Sequence, residues 1–312
     1  MMSPLARWMK RMTEPIFPGL VVQLSRTTAS GIRFTGAEKS LVSHFIAPLP
    51  PGALAPSFDR PNILDAKALE RVLKDGRAKL GGAGGDASLL VPETCVRVFV
   101  LTFDRLPASP AEREELFRWR IGKLVPLKSA ETRLGYDLIS SNGQAKVVLT
   151  LGVAEVLGEY EAVFSRAGLK VRSLSVPALL LSRLVKPENP GNILIVSCEE
   201  DHVSLLALLG GELSLYRIKP LPAGGSGLMN APWKRDQIIR EIETTMNFIE
   251  DKEQKRITGL WVRPIAWPEG ADAAADLQAR WPTLQVSSEF PGPETLLASE
   301  RHILAPLIGQ VL

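Results

Sequence analysis

The sequence predicts an α/β protein of two similar halves, with a small unit inserted in the first. Three observations carry this. Short apolar, strand-like runs alternate with amphipathic helical patterns along the chain. Two stretches, LVVQLSRTTASGIRF and ILIVSCEEDHVSLLALLGGEL, each read as a strand, a polar turn and a returning strand, and each opens one half. A polar, proline-bearing run, KPENPGN at 186–192, separates the halves. The length agrees: 312 residues is about twice the ~150 of a one-domain prior.

In chain order, residues 1–15 carry Arg7, Lys10 and Arg11, with Leu5, Trp8, Met9 and Met12 on one helical face. Such a basic amphipathic segment fits a membrane surface or a partner, and fits packing on its own domain equally well. Residues 20–36 predict a hairpin around a Ser/Thr-rich turn, and 41–50 a third strand with His44 on one face. Residues 64–80 place Leu69, Val72, Leu73 and Leu80 at helical spacing behind Asp65, and GGAGG ends that helix. ASLLVPE is a short buried strand. Residues 94–176 then read β-α-β-β-α-β. The first helix of this unit, at 110–126, has Pro110 in its first turn and apolar positions at Leu116, Trp119, Ile121 and Leu124. Asn142-Gly143 marks a hairpin, and Gly168 the end of a helix over 154–169. A helix over 178–185 leads to the linker. The second half continues with three strands over 192–220, a glycine-rich loop and a helix over 236–251. A strand at 257–262, a helix, a strand and one or two closing helices follow.

Composition narrows the function. Lys+Arg 37 against Asp+Glu 34 leaves +3, too small a bias to argue for nucleic acid. Cys95 and Cys198 stand far apart in apolar runs and read as buried thiols, and none of the three histidines has a partner at metal-ligand spacing. No apolar run reaches the ~18 residues of a membrane span, and the start lacks a signal-peptide apolar region, so the expected compartment is the cytoplasm. No GxSxG, HExxH or Walker A motif occurs.

The duplicated hairpins resemble the layout of the actin-like ATPase superfamily, in which two such turns grip nucleotide phosphates. A narrower resemblance covers residues 16–312. The run ELFRWRIGKLVPLKSAETRLGYDLI (115–139) is similar to a signature of the type IV pilus assembly protein PilM family, approximately RWEAEQYIPF…DY. Arg118-Trp119, Leu124-Val125-Pro126 and Tyr136 stand at the matching places. GGELSLYRIKPL, EIETTMNFIE and LAPLIGQVL resemble later segments of that family in the same order. The cytoplasmic part of the type II secretion L protein and the MSHA pilus protein MshI share the layout. The resemblance implies two RNase-H-like halves, at 16–93 with 177–190 and at 191–312, and an inserted subdomain at 94–176.

Where the family's first phosphate turn reads like DIGSSSVK, this chain has Gln23 for the acid that organises Mg²⁺, Ser25 for the glycine and Ser30 for the basic residue. Arg26 is the only cation nearby in sequence. The second turn, DIGASST in the family, here reads Ser197, Cys198, Glu199, Glu200, Asp201, His202 and Val203. Its three carboxylates repel a triphosphate; they read as a solvated acidic turn, with a divalent-metal site as the lesser reading. Arg263-Pro264 replaces the adenosine-contacting glycine pair. Only 15 residues separate Pro220 from Asp236, where the family places a nucleotide lid. The expectation is therefore a pseudo-ATPase that needs no cofactor or metal, with residual binding of ATP and Mg²⁺ as the lesser reading.

What the resemblance leaves is binding. It implies a groove beside the 110–127 helix for the short cytoplasmic N-terminal segment of a PilN-like inner-membrane protein, at the inner face of the membrane. Other inner-membrane components of the machine are further candidate partners. Trp119 and Arg120 are candidate anchors, and Val125, Pro126 and Leu127 candidate walls. Trp119 also fits a core position beside Leu116. The expected function is a scaffold of a pilus or type II secretion assembly. The alternatives are an actin-like ATPase or nucleotide-gated switch driving pilus assembly, and a membrane-surface adaptor.

Overall fold

The computed structural model describes residues 18–35, 40–82, 85–125, 131–139, 144–185, 191–221, 232–268 and 271–312. The N-terminal amphipathic segment, the Asn142-Gly143 turn, Pro126, Leu127 and residues 222–231 of the glycine-rich loop lie outside them.

The first half begins with strands β1 (Leu20–Leu24), β2 (Thr28–Phe34) and β3 (Leu41–Pro48), helix α1 (Ala66–Lys79) and strand β4 (Gly85–Leu90). A 3₁₀ turn, Glu93–Cys95, leads into β5 (Val96–Phe103), α2 (Pro110–Gly122), β6 (Thr132–Ile139), β7 (Ala145–Val153) and α3 (Ala154–Arg166). Strand β8 (Leu169–Ser175) and helix α4 (Pro177–Leu184) close this part. The second half runs β9 (Ile193–Cys198), β10 (His202–Leu209), β11 (Glu212–Pro220), α5 (Pro232–Glu253), β12 (Gly259–Arg263), α6 (Ala273–Arg280), β13 (Gln285–Ser287) and α7 (Ala298–Val311).

The two large sheets have the same topology. One is ordered β3-β2-β1-β4-β8 and the other β11-β10-β9-β12-β13. In each, three antiparallel strands are followed by two parallel ones. The duplication read from the two hairpins thus extends to whole sheets. Strands β9 and β10 are buried throughout, which is why they read as continuous apolar runs instead of alternating ones.

Helix α1 starts where Asp65 accepts a hydrogen bond from the Ala68 amide, and buries Leu69 and Leu73. Gly76 lets it approach β3: the ring of Phe45 lies where a Cβ would stand, its Cζ at 2.5 Å. Helices α4 and α7 pack against each other, with Gly309 against the Leu180 carbonyl. The closing segment is one helix containing Pro306, not two. A single apolar cluster joins the halves: Val21, Ile32 and Leu90 from the first sheet, Leu180 and Leu181 from α4, Ile195 and Leu206 from the second sheet, Leu304 and Leu307 from α7.

The inserted stretch departs from expectation in two ways. Its own sheet is three-stranded, ordered β5-β7-β6, while β8 pairs in parallel with β4. The β-α-β-β-α-β order is therefore shared between two sheets, and the expected boundary at residue 176 does not coincide with a sheet boundary. Helix α2 also turns a different face inward. Phe117 and Ile121, spaced i and i+4, pack on Val147, Leu149 and Leu151. Trp119 and Leu124 face solvent, 57% and 54% exposed.

Candidate functional site

The folded chain brings the two polar turns face to face. In the turn after β1, the Ser25 hydroxyl accepts from the amides of Thr28 (3.1 Å) and Thr27 (3.4 Å). A side chain thus organises this turn at the position the resemblance assigns to glycine. In the turn after β9, the Glu199 amide donates to the His202 carbonyl at 2.9 Å. The two turns touch directly, the Thr27 hydroxyl donating to Glu200 Oε1 at 2.6 Å.

Against the second turn sits Arg263, the last residue of β12 and 1% exposed. Its guanidinium pairs with Glu199, donates to the Ser197 hydroxyl at 3.1 Å and to the His302 carbonyl at 2.6 Å. Two cavities remain. One, of about 40 Å³, is lined by Gln23, Ser25, Ser30, Glu199, Glu200 and Arg263 among others. The other, of about 10 Å³, is lined by Gln23, Arg26, Glu93, Glu199 and His202 among others. Both are smaller than the roughly 300–1,000 Å³ of common small-molecule sites.

The structure therefore gathers Gln23, Ser25, Ser30, Ser197, Glu199 and Arg263 at one place. Pro264 follows in the adjoining turn, its carbonyl accepting from the Trp267 amide at 3.3 Å. The solvated acidic turn is corrected: Glu199 is buried and paired with Arg263, Glu200 is bonded to Thr27, and Asp201 meets His202 Nδ1 at 2.7 Å. Burial, then the charge of Glu199, raises the Glu200 pKa. Burial opposes ionisation of Asp201, but the hydrogen bond and charge of His202, with Arg26, hold its pKa below the ordinary range. Among the described residues no group of His, Cys, Asp or Glu is arranged to hold a metal ion. Nor is Arg26 the only cation here. Besides Arg263, the buried Lys234 of α5 donates to the Glu200 carbonyl at 2.5 Å, and burial lowers its pKa.

Two site residues escaped the sequence reading, Glu93 and Lys234; Thr27 and His202 stood within the two turns but were given no role. Glu93 had a visible signal, an acid directly after the apolar run ASLLVP, and a buried charge needs partners. Its carboxylate accepts from the Ala178 amide (2.8 Å), the Ser204 hydroxyl and the Tyr216 hydroxyl (2.9 Å).

On the inserted unit, exposed Trp119 carries Lys123 Nζ 3.6 Å above its ring, and Arg120 is exposed beside it. Val125 is half-buried against the unit's core. Tyr136 of β6 packs edge-on against Phe117 at 5.0 Å and remains partly exposed, as does Leu138. Lys146 reaches Glu212 and Ser214 of β11, bracing the unit on the second half.

No family model matches this chain, and no curated protein does. Solved structures do. A chain described as "PilM-PilN type IV pilus biogenesis complex" is similar over 95% of this chain and 98% of its own, at 15% identity and a TM-score of 0.74. A Bacteroides thetaiotaomicron protein of unknown function with an actin-like ATPase fold is similar over 93% and 94%, at 10% identity and a TM-score of 0.54. With its duplicated sheets, facing turns and closing helices, the chain has the actin-like ATPase fold.

Proposed function

We propose that this protein is a cytoplasmic scaffold of a type IV pilus or type II secretion assembly that binds a short peptide segment of a PilN-like inner-membrane protein and does not hydrolyse ATP. The observation that carries the reading is the buried Arg263–Glu199 pair at the facing turns, which leaves only a cavity of about 40 Å³ beside it. Likeness to the PilM-PilN complex supports the choice of machine and partner. Among the described residues no helix is long and apolar enough to cross a membrane, which accords with attachment through a partner.

The inserted unit is the proposed docking place. Trp119, Arg120 and the wall at Val125 combine an exposed aromatic, a cation and an apolar ledge, the residue types that dominate binding hot spots. The test is titration of the full chain with a synthetic peptide copying the N-terminal segment of a PilN-like membrane protein from the same organism. Binding is expected, and Trp119→Ala is expected to weaken it by at least tenfold while shifting stability by less than about 0.5 kcal/mol. Absence of binding, or an unaffected Trp119→Ala, sinks the proposed docking place.

The fold itself favours one second reading, an actin-like ATPase with unusual loops. Phosphate release under MgATP that is abolished by changing Glu199 would establish it over the scaffold.

A further inference from the structure

We propose that a protonated His202 shared between Asp201 and Glu93 tightens the facing turns of the two halves without a ligand, and that these turns loosen when that proton is lost.

The geometry sets the charge state. His202 stands at the start of β10, 4% exposed. Its Nδ1 lies 2.7 Å from Asp201 Oδ1, and its Nε2 lies 3.8 Å from Glu93 Oε2 with no hydrogen-bond partner. A neutral ring that donates from Nδ1 would point the Nε2 lone pair at a carboxylate. A neutral ring that donates from Nε2 would do the same at Asp201. Only the imidazolium presents a proton to both carboxylates.

Glu93 belongs to the first half, while its hydrogen-bond donors lie on α4, β10 and β11. It is thus the carboxylate on which the first half, the connecting helix and the second sheet converge. The facing charges come from every neighbouring element: Asp201, Glu199 and Glu200 from its own turn, Arg26 from the turn after β1, Glu93 from the 3₁₀ turn, Lys234 from α5 and Arg263 from β12, with the Tyr216 hydroxyl from β11. Arg263 is committed to Glu199, and Lys234 to a backbone carbonyl. Without its proton His202 leaves Glu93 and Asp201 facing each other across a neutral ring, and the polar ties that remain here are the Thr27–Glu200 bond and the Ser204 and Tyr216 hydroxyls on Glu93. Burial opposes the imidazolium, yet the bond to Asp201 and the charges of Glu93, Asp201 and Glu199 outweigh it and raise the pKa to about 9.

The experiment uses the full chain labelled with ¹³C and ¹⁵N in histidine. With three histidines, the spectrum of His202→Gln assigns the resonance by difference. An imidazolium signal at pH 7.5 is expected, where an unperturbed histidine is only about 10% protonated. Hydrogen exchange, corrected for its intrinsic pH dependence, is expected to rise at least tenfold between pH 7.5 and 9.5 in peptides spanning 24–30 and 197–204, with no such step in His202→Gln. Glu93→Gln is expected to lower the His202 pKa by at least one unit and to loosen both turns at pH 7.5. A neutral His202 at pH 7.5, or turns whose exchange ignores the proton, overturns the proposal. The wild-type titration stands alone if either variant fails to fold.

Discussion

Replacing Arg263 with methionine tests whether the cleft is held by a buried ion pair. The substitution keeps most of the volume and removes the guanidinium. Glu199 is then a buried carboxylate without its countercharge, and the Ser197 hydroxyl and His302 carbonyl lose a donor. Breaking a buried pair from one side costs about 3–5 kcal/mol, because the remaining charge stays desolvated. Unfolding entropy of ~2.1 cal/mol/K per residue over 312 residues gives a slope of ~0.65 kcal/mol per degree. R263M should therefore lower Tm by about 5–8 °C at pH 7.5. Removing both charges should recover most of this, since apolar or neutral replacements of a buried pair are often tolerated. R263M/E199Q is expected within about 2 °C of the parent by differential scanning calorimetry. A single variant that costs less than 1 °C, or a double variant no better than the single, would refute the idea that these residues seal the cleft through their charges.

The other predictions are as follows. Gly76→Ala in α1 should destabilise by about 1–3 kcal/mol despite the better helix propensity of alanine, because the new methyl meets the Phe45 ring, whereas Gly158→Ala in α3, with open space around it, should gain up to ~1 kcal/mol. Denaturation midpoints of the two variants check the opposite signs. His202 is held above its ordinary value, so its contribution is complete below about pH 6.5 and is lost as pH rises through about 9; over that interval about 3 kcal/mol should disappear, readable as a falling Tm that His202→Gln flattens. Millimolar MgATP should leave Tm unchanged within 1 °C; a ligand at 100 times its Kd adds ~2.7 kcal/mol and would move it by about 4 °C.

The fold was legible because its signals are local. Asp65 ahead of the Leu69 and Leu73 pattern locates α1, and the unbroken apolar runs of β9 and β10 mark central strands. Elsewhere periodicity was ambiguous. Helix α2 carries apolar residues at 116, 117, 119 and 121, spread over about half its circumference, and only the folded chain selects the Phe117–Ile121 face. The positions of both turns were readable as well, but their electrostatics were not. Three adjacent acids look solvated in a linear chain. Their partners lie far off in sequence: Thr27 is 173 residues from Glu200, and Arg263 is 64 residues from Glu199. Neither distance has a sequence signature, so charge at this site becomes interpretable only once topology is fixed.

The apolar cluster that joins the halves has a consequence for biosynthesis. Val21, Leu90 and Leu181 emerge from the ribosome well before Ile195 and Leu206, and Leu304 and Leu307 come last. Until α7 is released, the nascent chain leaves part of this apolar surface uncovered, and transiently exposed apolar surface is prone to aggregation. Residues 1–185 produced alone should therefore aggregate, and the two halves should assemble into a working molecule only when made as one chain or together.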